Sequence, residues 1–178
     1  MFKHLTLALI GSILLMSTPA KAAKDAENIL YLKVNDATVT IELKPDLAPQ
    51  HVERIKKLTR EGFYDGIIFH RVIDGFMAQT GDPTGTGMGG SDYPDLPAEF
   101  SDYNYDRGTV GMARSASPNS ANSQFFICFT DCSFLNGQYT VFGQVTEGME
   151  VIDGVAKGEP PANPDKIQSM TLASDVKK

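Results

Sequence analysis

From Ile29 onward one pattern keeps returning: a short apolar, β-branched run, then a turn carrying glycine, proline, Asn or Asp. Ile29–Val34 and Thr38–Leu43 are two such runs, with Asn35, Asp36 and Ala37 as the turn between them, and so read as a hairpin. Further strand signals lie at Ile67–Ile73, Thr109–Ala113, Gln124–Phe129, Thr140–Val145 and Ile167–Leu172. Helical spacing occurs twice. After a loop bracketed by Pro45 and Pro49, Val52, Ile55 and Leu58 share one face while Glu53, Arg54, Lys57 and Arg60 share the other; Gly62 closes that helix. A second, short helix is predicted over Met149–Ala156. Many short strands in 178 residues, with no internal repeat and no interdomain linker, predict one mainly β domain, a sandwich or a closed barrel. A chain of this size buries roughly two-thirds of its unfolded surface, so it needs neither metal nor disulfide framework to fold.

The first residues follow a different rule. Lys3 and His4 precede an apolar run from Leu5 to Met16, followed by Ser17, Thr18, Pro19 and the small-x-small triplet Ala20, Lys21, Ala22. A basic start, a short apolar segment and an Ala-x-Ala site describe a secretory signal peptide. The alternative, an uncleaved anchor, needs about 20 apolar residues to cross a bilayer, and this run is shorter. No cysteine follows it to carry a lipid. The expected organisation is therefore a signal peptide at 1–22, a short tail at 23–28, the folded domain at 29–173 and a tail at 174–178. The product is secreted, periplasmic if the cell is Gram-negative, with no stable membrane insertion after cleavage.

Composition narrows the chemistry. The net charge is −6, and loss of Lys3 and Lys21 with the leader makes it −8. Nucleic-acid binding needs clustered positive charge, so no nucleic-acid partner is expected. Past residue 22 the histidines are His51 and His70, neither with another His or Cys at ligand spacing, so no metal is expected. Gly85–Gly90 formally matches G-x-G-x-x-G, but Pro94 and Pro97 follow closely where a dinucleotide site needs a helix; it reads as a mobile glycine loop. Cys128 and Cys132 are four residues apart. They permit a disulfide in an oxidising compartment, with free thiols the default. A Cys–His pair with His70 is conceivable, although Cys128 sits in an apolar strand where a buried thiol is usual.

Two stretches stand above this background, Phe69–Asp82 and Gly111–Ile127, the second continuing to Phe134–Gly137 and Val141–Val145. Each mixes apolar residues with a few strong hydrogen-bonding groups. Arg71 is a cation inside an apolar strand, serving either a structural ion pair or a site. Gln79 and Gln124 are amides that both donate and accept. Phe76, Met77, Phe126 and Leu135 either line a pocket or belong to the core. On the residues alone the reading stops at a small β protein, with an apolar-floored, Arg-rimmed pocket as one of two arrangements left open.

The same segments resemble those of the cyclophilins, the cyclophilin-type peptidyl-prolyl cis-trans isomerases. Phe69-His70-Arg71, Gly75-Phe76-Met77 with Gln79 and Gly81, Ser123-Gln124-Phe125-Phe126-Ile127 and Val141-Phe142-Gly143 stand in the family's order. The resemblance runs from about residue 29 to 172. It is nearest the bacterial secreted branch, given Met112-Ala113-Arg114, and Phe134 and Tyr139 where many eukaryotic members carry Trp and His. It implies a closed eight-stranded antiparallel β-barrel with two capping helices. It also implies a cofactor-free, non-covalent isomerase acting on proline-containing polypeptides. By that likeness Arg71 is the donor to the proline nitrogen, with Gln79 holding it. Phe76, Met77, Phe126 and Leu135 grip the proline ring. Ala113, Arg114 and Gln124 bind the peptide before proline, and His70, Phe134 and Tyr139 form the rim. Phe134 lacks an indole N–H, so cyclosporin binding should be weak while activity is retained.

Rotation about an Xaa–Pro bond breaks amide resonance against a barrier of ~18–20 kcal/mol. The twisted nitrogen gains a lone pair, and a donor aimed at it is stronger in the transition state than in the ground state. A planar, multiply donating guanidinium suits that task. Two other readings stand beside it: a non-catalytic proline-peptide-binding chaperone on the same fold, and a hydrolase or redox enzyme using Cys128 or Cys132. The acidic surface, without coiled coil or basic patch, predicts a monomer.

Overall fold

The computed structural model describes residues 25–176. The leader expected at 1–22 lies outside them. Eight strands form: β1 (Ile29–Val34), β2 (Ala37–Leu43), β3 (Arg71–Ile73), β4 (Met77–Thr80), β5 (Thr109–Met112), β6 (Phe125–Cys128), β7 (Val141–Glu147) and β8 (Ile167–Leu172). Beside them stand the α-helices α1 (Pro49–Arg60) and α2 (Met149–Asp153), short 3-10 turns at Ser133–Leu135 and Ala173–Asp175, and a helical turn at residues 25–27. The strands make one antiparallel sheet in the order β3-β4-β6-β5-β7-β2-β1-β8.

The sheet curls until its two edges meet, but no ladder closes it. The seam is a short set of backbone bonds outside the strands: Ile167 N–H to Ile67 O at 2.9 Å, Phe69 N–H to Asp165 O at 2.9 Å and Gly66 N–H to Ile167 O at 2.7 Å. The expected closed barrel is thus a curled half-barrel. For the same reason the strand expected at 67–73 is regular only from Arg71, because residues 66–69 are spent on the seam. β4, which the strand pattern did not announce, carries too few residues to show a period.

The β1–β2 turn is tighter than the sequence suggested. Val34 pairs directly with Ala37, and the two residues between, Asn35 and Asp36, have φ of 50° and 61°. That is the left-handed pair a two-residue hairpin turn needs, which Asn and Asp tolerate. α1 opens with Pro49 in its first turn, where a missing N–H costs nothing, and Gly62 follows its end at φ 69°. α2 stops three residues short of expectation. The Ala156 N–H is taken by the Asp165 carboxylate at 2.7 Å, and Lys157 Nζ holds the Asp153 and Val155 carbonyls, so the chain turns away.

Strand alternation divides the apolar side chains into two bodies. In β6, Phe125 and Ile127 enter the main core with Leu32, Ile41, Ile55 and Phe142. Phe126 and Cys128 face a second cluster with Met77, Tyr105, Cys132, Leu135 and Val141. All four β6 residues are buried, which is why the strand reads as a continuous apolar run rather than an alternating one. The glycine loop at 85–90 is closed by hydrogen bonds. It wraps around the buried Asp82 carboxylate, which accepts from the Thr84 N–H and hydroxyl at 2.8 Å each, the Gly87 N–H at 2.6 Å and the Gly89 N–H at 3.1 Å.

One distant carboxylate caps α1. Ala48 offers no side-chain cap. Instead Glu99 accepts the Gln50 and His51 N–H groups, both at 3.1 Å, and lies 2.6 Å from His51 Nδ1. Its own N–H donates to Thr140 Oγ1 at 2.9 Å. Burial works against ionisation of Glu99, but the bonds from His51 and Gln50 outweigh it and hold the carboxyl below its ordinary value of 4.5. Burial pulls His51 below 6.5 against the opposing Glu99 charge. The unfolded chain therefore binds more protons than the fold at both groups, and acid destabilises. Glu99→Gln should cost roughly 1–3 kcal/mol at neutral pH by leaving buried donors unmatched. In urea unfolding, that deficit should shrink as the pH falls below about 4.5. A deficit independent of pH would contradict the capping role.

Candidate functional site

The ladder places the site residues in one row. Arg71 on β3 pairs with Gln79 on β4, Gln79 with Phe126 on β6, and Phe126 with Gly111 on β5. Directly opposed residues in a sheet share a face, so the cation, the amide and the aromatic ring all stand on the side away from the main core. One row along, Ile73, Met77 and Cys128 are likewise opposed.

Above this row lies a cavity of about 300 Å³ lined by Arg71, Phe76, Met77, Gln79, Ala113, Arg114, Phe126, Phe134, Leu135 and Tyr139. Met77, Phe126 and Leu135 are buried and form its apolar base. Phe76 and Phe134 form one wall, their rings 5.3 Å apart, with Phe134 62% exposed at the mouth. Tyr139 forms the other, standing edge-on to Phe126 at 5.8 Å. The Arg114 guanidinium lies 4.4 Å over the Tyr139 ring and donates to the carbonyls of Gln138 and Ser115, both at 2.9 Å, which fixes that wall.

Polar groups meet the cavity in a relay. Arg71 Nη1 donates to Gln79 Oε1 at 3.3 Å. Gln79 Nε2 donates to Gln124 Oε1 at 2.9 Å, and Gln124 Nε2 to the Gly89 and Gly87 carbonyls at 2.8 and 3.1 Å. Arg71 Nε donates to Glu159 at 2.7 Å, so the local ion pair and the site are both present. Among the described residues Arg71 Nη2 has no partner.

Two residues expected at the site stand outside the cavity lining. Gln124 reaches it only through Gln79. His70 is buried beside it, in an adjacent cleft of about 410 Å³ that shares Arg71 and Gln79 with the cavity and is lined also by Gly85–Gly87, Glu159 and Pro160. Burial, with Arg71 adding to it, holds the His70 ring below its ordinary value despite Asp82, so it is neutral at pH 7.

Two others escaped sequence reasoning. The Tyr105 ring stacks behind Phe126 at 5.8 Å and 18°. A Cβ at Gly111 would fall 2.8 Å from Phe126 Cζ and collide with Tyr105, so only glycine leaves room for that stack. Gly111 lay within a singled-out segment; nothing in the sequence pointed to Tyr105, 21 positions before Phe126.

Other chemistries find little here. Cys128 and Cys132 are free and buried, and burial drives both thiols above their ordinary range, which disfavours a thiolate nucleophile. Among the described residues no three His, Cys, Asp or Glu gather as metal ligands, and no helix is long and apolar enough to cross a membrane.

Residues 29–172 match the model of the family described as cyclophilin type peptidyl-prolyl cis-trans isomerase/CLD. A probable peptidyl-prolyl cis-trans isomerase of Brucella suis is 56% identical over 172 residues, covering 88% of each chain. A peptidyl-prolyl cis-trans isomerase of Helicobacter pylori is 39% identical over 148 residues, covering 82% of this chain and 86% of that one. Among solved structures, a cyclophilin from Hirschia baltica superposes with a TM-score of 0.78 at 28% identity, covering 92% of this chain and 83% of its own. A cyclophilin-type isomerase from Cryptosporidium parvum, crystallised in the presence of the dipeptide Ala-Pro, gives 0.75 at 31% identity, covering 81% and 98%. The curled antiparallel sheet, the ordered motifs and these likenesses agree: the chain belongs to the cyclophilin-type peptidyl-prolyl cis-trans isomerases.

Proposed function

We propose that this chain is exported and there isomerises Xaa–Pro bonds in folding polypeptides, holding the proline ring on Met77, Phe126 and Leu135 while Arg71 stabilises the twisted amide. The observation that carries this reading is the placement of Arg71 at the edge of an apolar cavity, with Nε and Nη1 engaged and Nη2 free. The proline ring is common to the cis and trans forms. A base that grips the ring therefore binds both alike and leaves the preceding residue to swing. Such uniform grip lowers KM; turnover comes from the donor that strengthens as the nitrogen loses its resonance. The cavity suits a ring of that size, with the peptide lying across Ala113 and Arg114 and leaving past Phe134 and Tyr139. The presence of Ala-Pro with the Cryptosporidium parvum relative supports proline-containing peptides as the ligand class.

Uncatalysed prolyl isomerisation takes tens to hundreds of seconds, slow enough to limit folding. A secreted catalyst, periplasmic in a Gram-negative cell, would relieve that delay where ATP-driven helpers are absent. The apolar run at Leu5–Met16 and the Ala20–Ala22 site support export. The protein recovered from the extracytoplasmic fraction should begin at Ala23; recovery only of the full-length chain from the cytoplasm would reject export.

Arg71→Ala should lower kcat/KM by roughly 10²–10³-fold, the usual cost of losing one donor to a developing charge, with an unchanged circular dichroism spectrum. Turnover equal to wild type would overturn the mechanism, and activity lost on thiol alkylation would revive the cysteine alternative. Cyclosporin should inhibit only weakly, because Phe134 brings an aromatic face to the mouth but no donor. Phe134→Trp should tighten inhibition by roughly tenfold, the worth of one added hydrogen bond. A nanomolar inhibition constant for the wild type would refute this.

A further inference from the structure

The partner of Arg71 on its outer side has no place in the relay above. Glu159 accepts from Arg71 Nε at 2.7 Å. It lies in the segment between α2 and β8, and the chain there is docked rather than loose. Val72 and Gly158, the residues next to Arg71 and Glu159, exchange two backbone hydrogen bonds at 2.8 Å each. That reciprocal bridge pins the Glu159 backbone beside β3, and Pro160 and Pro161 stiffen the chain that follows.

Both partners of the pair are half exposed, at 40% and 53%, so little folding stability resides in it. Its consequence is directional. A guanidinium is a rigid planar fork. With Nε fixed by Glu159 and Nη1 by Gln79 across the strand pair, the plane is held from two sides, leaving Nη2 as the unengaged end. Without Glu159 the fork would be held at Nη1 alone, by Gln79 at 3.3 Å and Met77 Sδ at 4.0 Å, and would be free to swing about that end.

We propose that Glu159 is a positioning residue for catalysis: its carboxylate fixes Arg71 Nε so that Nη2 is presented to the proline nitrogen. This rests on the isomerase reading of the cavity. Two opposing effects decide the outcome of removing it. Loss of the carboxylate raises the positive potential at the site, which would help a developing lone pair. Loss of the fixed pose misaims the donor, and small misplacements in a catalytic geometry cost up to ~100-fold. Pose is the larger effect here because the pair faces solvent, which screens the charge.

Glu159→Ala and Glu159→Gln separate the two. Glu159→Ala should lower kcat about tenfold with KM within about twofold. Glu159→Gln keeps an acceptor oxygen for Nε and should restore at least half of the wild-type kcat. In ¹H–¹⁵N spectra the Arg71 Nε–H signal should exchange faster with water in Glu159→Ala but not in Glu159→Gln. Equal or faster turnover in Glu159→Ala, equal loss in both variants, or an unchanged Nε–H signal in Glu159→Ala would overturn the proposal. If the Glu159 variants are silent while Arg71→Ala is inactive, this inference alone fails. If Arg71→Ala is fully active, the isomerase mechanism itself fails, whatever the Nε–H signal does.

Discussion

The register of β3, β4, β6 and β5 is the constraint on which the site depends. Because opposed residues share a face, pairing Arg71 with Gln79, Gln79 with Phe126 and Phe126 with Gly111 sets the whole polar-to-apolar gradient of the cavity in one row. A slip of one residue in β6 would turn Phe126 into the main core and present Phe125 to substrate. Burial on both faces prevents that slip. Phe125 and Ile127 are locked by the main core, while Phe126 and Cys128 are locked by the second cluster. The barrel is in this sense a device for holding a short ladder in one register.

Around that row the protein builds walls that do not rely on long side chains finding their place alone. Gly111 lets Tyr105 lie flat behind Phe126. Arg114 is tied to two carbonyls and to the Tyr139 ring. Gln124 is held by the glycine loop, which is itself wrapped on Asp82. Arg114 and Gln124 are satisfied by backbone carbonyls, and Tyr105 supports Phe126 by stacking alone. On the proposed mechanism, a donor set among such fixed neighbours needs little rearrangement when the amide twists.

Much of this was legible in the sequence, unevenly. The long strands and α1 announced themselves through period and punctuation. β4 did not, because four residues are too few for a period and Gln79 breaks the apolar pattern; it was visible only as part of a motif. The open seam was invisible, since the bonds that make it join residues 66–69 to 165–167, about 100 positions apart. At the site, the cavity residues were named from resemblance and composition together. The residues beside and behind them were not: Tyr105 and Glu159 act through contacts distant in sequence. His70, placed on the rim by resemblance, lies in the adjacent cleft, whose lining also includes Arg71 and Gln79.

The central claim is that an oriented fork, and not merely a positive charge above an apolar base, eases rotation of the amide. Exchange spectroscopy on a saturating Ala-Pro peptide with the Arg71→Lys protein tests it most directly, because lysine keeps the charge but loses the planar fork. The account predicts that the peptide still binds and that its bound cis and trans signals interconvert at least tenfold more slowly than with wild type, a loss of about 1.4 kcal/mol or more in transition-state stabilisation. Interconversion at the wild-type rate would contradict it.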